Sequence, residues 1–569
     1  MALTALKFQW TRLGRGVLRP CMTPDSPVLR VNEGDDLIVA LRDLKAGSVV
    51  TLGGECWTLR EDVPAKHKFA ARDFAAGERA RMYGVVVGKT TQTVPAGALL
   101  RTSNLAHDAA AFAGKQRDAA WTAPDVSKWR GRVFQGYRRG AGIAGTANHW
   151  LVIPLVFCEN RNLAVMREAL TRALGYAHGS AYERYAAHLA EARHRGVPAT
   201  LGLDDCFGAE STPLFANVDG VKFLEHGLGC GGTRQDAEAL CRLLAGYIAH
   251  PNVAGATVLS LGCQHAQASL LESALAELHP GHDRPLQIFE QQKSASERDM
   301  LGRAIQSVIS GVAKASEQTR ESCQVSDLVL GVECGGSDGF SGISANPVIG
   351  RAADLLAACG GTPVLAEFPE LCGVEQELCD RCASRELAEK FTRLMRAYEA
   401  AARACGSGFE ANPSPGNIRD GLITDAMKSA GAAKKGGTAP IVDVLDYGEP
   451  VRRRGGLNLC CTPGNDVEST TALAGAGCNL IVFSTGLGTP TGNPVCPTLK
   501  VATNTGLMRK MPDILDFDAG PVITGESTLE DLGERLFEAC LAVASGTLQP
   551  KAVALGQDDF LPWKRGVSL

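Results

Sequence analysis

Residues 221–226, VKFLEH, run into the loop HGLGCGGT at 226–233, which opens into QDAEALCRLLAGYIA at 235–249. A short, nearly unbroken apolar run, a glycine-rich turn and then apolar positions at helical spacing make one strand–loop–helix unit. The unit recurs on both sides. WLVIPLVF (150–157) precedes a helical stretch over 162–176, and GATVLSLG (255–262) and DLVLGVE (327–333) are further apolar runs ending in turns. Strands that lack polar alternation are buried on both faces, so the pattern predicts an α/β fold with largely parallel sheets. TPVLAEF (362–368) is followed by a long helical stretch over 375–404. LNLCC (457–461), NLIVFST (479–485) and a helix over 528–544 repeat the theme as a second α/β unit.

Upstream, LIVAL, SVVTL, YGVVVG and GALL are short runs broken by Gly and Pro, which predicts a small β-rich domain. The expected division is an extension over 1–30, the β-rich domain over 31–105, a linker over 106–130, an α/β domain over 131–405 and a C-terminal α/β domain over 406–569. A chain of 569 residues is long enough for several well-buried cores. Its 58 basic and 62 acidic residues leave a net charge of -4, which gives no reason to expect nucleic acid as a partner and favours a small molecule. Aromatics at 6% against 64 glycines suit tight turns better than base-stacking platforms. Nineteen cysteines, an odd number in a long chain, fit a reducing compartment rather than a disulfide scaffold, so a cytoplasmic location is expected. No run approaches the roughly 20 apolar residues of a membrane span, and the basic first thirty residues lack an apolar stretch of signal-peptide length. A soluble protein is expected, and a homo-oligomer is left open.

Ligands of open α/β sheets gather beyond the carboxyl ends of the strands. Cys158 follows LVIPLVF, Cys230 lies in the loop after VKFLEH, Cys263 follows TVLSLG and Cys334 follows LVLGVE. A single buried cysteine near a turn serves equally well as a small hydrophobe. Four in equivalent positions predict a shared metal crevice in which at least three bind iron, which soft thiolates suit: Fe2+, or an iron–sulfur cluster with one iron left open to substrate. The Cys379 and Cys382 pair has no second CxxC partner and falls on a helical stretch, so packing is its expected role. HGLGCGGT precedes a helix and offers backbone N–H groups to a carboxylate. ECGGSDGFSG (333–342) is a second such loop with Ser337 and Asp338 as polar tips, and TPGND (462–466) and STGLGTPTGN (484–493) are two more. His226 at a strand end reads as a general base or metal ligand, or as a histidine satisfied by the backbone of its turn.

Nine long motifs occur in order: HGLGCGGTRQDAEAL, VAGATVLSLGCQ, ECGGSDGFSGISANP, EFPELCGVEQEL, NPSPGN, IVDVLDYGE, CTPGNDVESTTALAGAGCN, FSTGLGTPTGNPVCPTLKVATN and DFDAG. On these the chain, from about residue 35 to its C-terminus, resembles the altronate/galactarate dehydratase family. KHKFAARDFAAGE (66–78) is similar to the His-Lys motif of that family's small SAF domain, at His67 and Lys68. The resemblance implies iron-assisted dehydration of a six-carbon sugar acid to a 2-keto-3-deoxy acid, with His67, Lys68 and His226 as catalytic candidates and Cys158, Cys230, Cys263 and Cys334 at the motif cysteines. ECGGSDGFSG and GTRQDAEAL look more like altronate than galactarate dehydratases, so D-altronate going to 2-keto-3-deoxy-D-gluconate is the expected reaction and galactarate or another sugar acid the alternative. A polyol acid needs many hydrogen-bond partners. Ser337, Asp338, Asn465, Asp466, Thr485, Thr489, Asn493, Lys500 and Asn504 offer them in or near glycine-rich loops, although ordinary turns use the same residue types. Lys500 stands in the otherwise uncharged PTLKVATN (497–504), where an unpaired cation is costly to bury; a substrate carboxylate is expected to satisfy it. There are departures. LLRTSN (99–104) has Arg101 and Ser103 where the family commonly has histidines, and GTAN (145–148) has Ala147 where an arginine is common. The missing histidines are the one support for a second class of function, a non-catalytic sugar-acid-binding protein.

Overall fold

Thr233 and Asp236 show how the opening stretch becomes a strand, a turn and a helix. Asp236 N donates to Thr233 Oγ1 at 3.1 Å and Thr233 N donates to Asp236 Oδ2 at 3.0 Å, a reciprocal cap that starts helix α1 (Arg234–Ile248). The computed structural model describes residues 26–177, 180–207 and 212–568. Four parallel strands, β1 (His149–Pro154), β2 (Gly220–Phe223), β3 (Val253–Ser260) and β4 (Leu286–Glu290), form one sheet in the order β2-β1-β3-β4. Seven more, β5 (Val329–Cys334), β6 (Thr362–Leu365), β7 (Ile441–Leu445), β8 (Leu457–Cys460), β9 (Leu480–Thr485), β10 (Thr498–Ala502) and β11 (Phe517–Asp518), form a second parallel sheet in the order β7-β8-β6-β5-β9-β10-β11. Ahead of both lies the small domain of short antiparallel strands, from Val28–Leu29 to Leu105–Ala106.

The expected boundary at 405/406 is corrected by the second sheet. β5 and β6 lie before that point and β7 to β11 after it, yet they share one ladder of hydrogen bonds. The break instead falls between the helix Glu297–Ala315 and β5, where Glu321–Gln324 pairs with Val133–Arg138 in a separate antiparallel sheet. The helical stretch over 375–404 divides into Glu375–Arg381 and Arg385–Ala404, the second restarted by Ser384, whose side chain accepts from Leu387 N. Cys379 and Cys382 are buried in the surrounding core, in keeping with packing. Of the expected extension, residues 1–25 lie outside the described residues, and Val28–Leu29 already pairs with Leu37–Ala40.

The stretch read as a linker is a strap. Lys115 Nζ donates to the carbonyls of Asp380 and Cys382, and Trp129 Nε1 donates to Glu538 Oε1 at 2.8 Å on a C-terminal helix, so the small domain is tied down along the molecule. Helix α2 (Ala345–Ala358) packs on the larger sheet, α3 (Asp425–Ala432) lies against the turn Phe368–Leu371 and the small-domain strand Val85–Thr90, α4 (Asp466–Gly475) packs on the larger sheet, and α5 (Leu529–Ala544) packs on α2. α1 and α4 join the two sheets into one apolar core, and they cross where a Cβ on Gly246 would strike the Gly475 carbonyl. Among the described residues no helix is long and apolar enough to cross a membrane.

Candidate active site

β5 ends in Glu333 and Cys334, and β6, its neighbour in the sheet, runs into the turn Phe368–Leu371 through Glu367. Parallel neighbours bring their carboxyl ends side by side, so a thiol and two carboxylates meet: Cys334 Sγ lies 3.5 Å from Glu367 Oε2 and 3.4 Å from Glu370 Oε2. Two lysines from the segment around α3 complete the cluster. Lys435 Nζ sits 2.6 Å from Glu367 Oε2 and 2.7 Å from Cys334 Sγ, and Lys428 Nζ sits 2.6 Å from Glu370 Oε1. All five residues are buried, as is Glu333, whose Oε2 accepts from Ser469 Oγ at 2.7 Å.

Burial sets the electrostatics. It pushes Glu333, Glu367 and the Cys334 thiol up, helped by the charge of Glu367 at Glu333, of Glu370 at Glu367 and of both Glu367 and Glu370 at Cys334. Glu370 is also desolvated, but Lys428 and Lys435 outweigh this and hold it below the usual range; the same acids keep Lys435 charged. Asp466, the first residue of α4, has a carboxylate packed against Gly335, and burial beside Glu367 and Glu370 raises it to about 7. Four acids and a thiol thus face two ammonium groups. Oε1 of Glu333 and Oε1 of Glu367 have no hydrogen-bond partner. One ligand atom each from Cys334, Glu367 and Glu370 falls within 4.8 Å of the others, and a mixed thiolate–carboxylate set with orphaned oxygens fits a divalent cation. Glu367 holds a left-handed backbone, φ 65°, a strained conformation of the kind functional sites retain.

The small domain roofs this region. Lys66 Nζ reaches Asp338 Oδ2 and Asp420 Oδ1, both at 3.0 Å, and its carbonyl packs onto Gly339 and Gly421 where neither leaves space for a side chain. Lys68 is fully buried, donates to Gly421 O at 2.7 Å and is drawn down to about 7 by desolvation. His67 is half-buried, its Nδ1 3.1 Å from Ala65 O, on the wall of a cavity of about 370 Å³ shared with Leu100 and Arg101. Arg101 pairs with Glu61.

Several expected residues hold the fold instead. His226 has both ring nitrogens occupied by backbone, Nε2 against Pro154 O at 2.7 Å and Nδ1 accepting from Leu228 N at 3.1 Å; burial lowers it to about 4 and keeps it neutral. Asn465 caps α4 by accepting from Val467 N and Glu468 N, and Asn504 caps Thr505–Lys510 by accepting from Leu507 N. Thr485 Oγ1 accepts three backbone N–H groups of its own turn, from Leu487, Gly488 and Thr489, with Thr489 Oγ1 at 3.3 Å, and Asn493 bonds Tyr247 OH and two backbone amides. Lys500 is buried but not unpaired: Nζ donates to Thr491 O and to Gln557 Oε1, so no substrate carboxylate is needed to satisfy it. Ser337 offers its carbonyl to Asn417 Nδ2, and only Asp338 and Asp466 of the polar candidates join the site.

The four cysteines do not share a crevice. Cys334 ends β5 in the larger sheet, whereas Cys158, Cys230 and Cys263 are exposed on loops after β1, β2 and β3 of the smaller one. Those three loops are tied together, Phe157 N donating to Leu228 O and Ala266 N to Gly229 O. Sequence reasoning missed Lys66, Glu367, Glu370, Lys428 and Lys435. EFPEL, and Lys428 and Lys435 seven residues apart in DAMKSAGAAKKGG (425–437), were the available signals.

Comparison with known proteins agrees along most of the chain. Residues 26–108 match the altronate/galactarate dehydratase SAF domain, 136–316 the D-galactarate dehydratase/altronate hydrolase second domain, and 325–568 the D-galactarate/altronate dehydratase C-terminal domain. The chain belongs to the altronate/galactarate dehydratase family. It is 33% identical to an altronate dehydratase of Escherichia coli (strain K12) over 95% of this chain and 99% of that one. It is 31% identical to an altronate dehydratase of Bacillus subtilis (strain 168), over 91% and 95%. A galactarate dehydratase (L-threo-forming) of Escherichia coli (strain K12) is 30% identical over 92% and 94%. Dehydratases are hydro-lyases, and the chain is an enzyme of that class.

Proposed function

We propose that the chain dehydrates a six-carbon sugar acid, with D-altronate as substrate and 2-keto-3-deoxy-D-gluconate as product, at the buried cluster of Cys334, Glu367, Glu370, Lys428 and Lys435. The observation that carries this is the cluster itself, a cation-ready acid set under a roof of lysines, in a chain matched nearly end to end by altronate dehydratases. Elimination must remove the weakly acidic proton beside the carboxylate and protonate the departing 3-hydroxyl. Asp466 and Lys68, both brought to about 7 by burial, can exchange a proton near neutral pH and form the acid–base pair of the proposal. Lys66 and Asp338 hold the roof in register. Cys334, Glu367 and Glu370 would hold the iron, which would supply Lewis acidity toward a 2-hydroxy acid. An iron–sulfur cluster on Cys158, Cys230 and Cys263 is a second reading, favoured by the three exposed thiols on mutually bonded loops. The free thiols suit the cytoplasm.

Anaerobically prepared protein, assayed for keto-acid release against a panel of aldonates and aldarates, tests the substrate. Turnover of galactarate in preference to altronate overturns the choice of acid. Iron and acid-labile sulfide content test the donor set. Glu367→Gln should lower iron and kcat together, whereas loss of iron and sulfide only in Cys263→Ser would move the metal to the loops.

A further inference from the structure

Where the small domain meets the C-terminal unit, a second group of metal-ligand side chains lies apart from the cluster described above. His107 directly follows the last strand of the small domain, Leu105–Ala106; Cys372 follows the turn Phe368–Leu371; Asp425 is the first residue of α3. One ligand atom from each lies within 4.8 Å of the other two, with Cys372 and Asp425 buried and His107 half-buried. We propose that His107, Cys372 and Asp425 bind one divalent cation of the zinc class, and that this cation clamps the small domain to the C-terminal unit.

Asp425 supplies the independent observation. Its side chain is wholly buried, and no donor reaches Oδ2 in hydrogen-bonding geometry, although the Cys372 thiol and the Asn412 amide lie beside it. Oδ1 receives only Ser429 Oγ, at 3.5 Å. Lys428, the ammonium on the same helix, is committed to Glu370 and Asn412. A buried carboxylate in this state is costly unless a cation completes it. Asn412 Nδ2 is likewise without an acceptor, so the local hydrogen bonding is not closed on itself. The donors are one imidazole, one thiolate and one carboxylate. Calcium and magnesium take oxygen sets, whereas this mixture suits zinc, with a fourth position left for water. Binding displaces the thiol proton to solvent, so affinity rises with pH as for other thiolate sites. The three ligands come from both sides of the seam, so only the docked arrangement presents all of them.

Metal-stripped full-length protein titrated with Co2+, and then with Zn2+ as competitor, tests the site through the near-ultraviolet thiolate-to-cobalt absorption. Wild type, Cys334→Ser and Cys263→Ser should all retain one Cys372-dependent equivalent. Cys372→Ser and His107→Ala should lose it, and Asp425→Asn should weaken it at least tenfold. Zinc should raise the Tm of Cys334→Ser, and adding His107→Ala to that variant should abolish the rise. The half-exposed ring makes His107→Ala the safe variant if Cys372→Ser fails to fold. Equal cobalt absorption and stoichiometry in wild type, Cys372→Ser and His107→Ala would overturn the site, as would a zinc-induced rise in the Tm of Cys334→Ser that survives the addition of His107→Ala.

Discussion

At Lys500 the question is which group answers a buried ammonium. Two neutral carbonyl oxygens, Thr491 O and Gln557 Oε1, answer it, and desolvation draws it down to about 8 from the ordinary 10.5. Lys500→Met should therefore leave KM for the sugar acid unchanged and cost stability of about 1–3 kcal/mol, because both oxygens lose their donor. The pH dependence has a definite sign. Between about 8 and 10.5 the folded state binds fewer protons at this site than the unfolded chain, so Lys500 makes stability rise with pH across that window. Its contribution is complete above 10.5 and lost as pH falls through 8. Urea unfolding of wild type and Lys500→Met at pH 7.5, 8.5 and 9.5 reads the slope. A wild-type slope no steeper than the variant's, or a tenfold rise in KM, would restore the substrate-carboxylate role. Neutral ligation and half-buried surroundings also separate His226 from Asp466: the first is fixed by backbone at both nitrogens, the second stands beside two carboxylates and titrates near 7.

At the scale of elements, the site is a set of strand ends and the turns that leave them. Gly421 shows how tightly these turns are held: its φ is +88°, and a Cβ there would press into the Lys66 carbonyl of the small domain. Gly421→Ala should cost about 1 kcal/mol in backbone strain and additionally lift the roof. The expected result is faster proteolysis within residues 106–130 together with a fall in kcat/KM, and a variant with wild-type proteolysis and activity would show that the roof tolerates displacement. The strands of both sheets were legible because unbroken Val/Leu/Ile runs ending in glycine-rich turns leave little choice of element. Their assignment to sheets was not. β5 and β6 join β7 to β11 across some 75 residues of intervening helices, and pairing between distant strands leaves no local trace in the sequence. The same gap hid the cluster. Cys334 carried a signal by following a strand, but Glu367, Glu370, Lys428 and Lys435 look like ordinary charged residues until the sheet order brings them to one place. Asn465 and Asn504 misled for the opposite reason. A polar residue in a glycine-rich loop before a helix is what an N-cap requires.

For the whole molecule, the decisive contact is the one between the small domain and the loop after β5. Asp338 is fully buried and accepts from Phe340 N, Ser341 Oγ and Thr503 Oγ1, and among the described residues its one ion pair is with Lys66, whose side chain is 20% exposed. The strained backbone at Lys66, φ 74°, would be shared by any replacement with a Cβ, so a Met there isolates the ammonium. Lys66→Met should destabilise by about 2 kcal/mol, less than for a fully enclosed pair because water reaches Lys66. The larger consequence is functional, since a roof displaced by about 1 Å can cost ~100-fold in kcat/KM. Adding Asp338→Asn removes the stranded charge. The double variant should therefore be more stable than the sum of the single changes predicts, with a coupling of about 1 kcal/mol or more. Activity should stay low in the double variant, because the tether is gone whether or not Asp338 is charged. Zero coupling would mean that the two residues do not act as a pair in the folded protein, and wild-type kcat/KM in Lys66→Met would mean that the small domain need not be held down for the reaction to proceed.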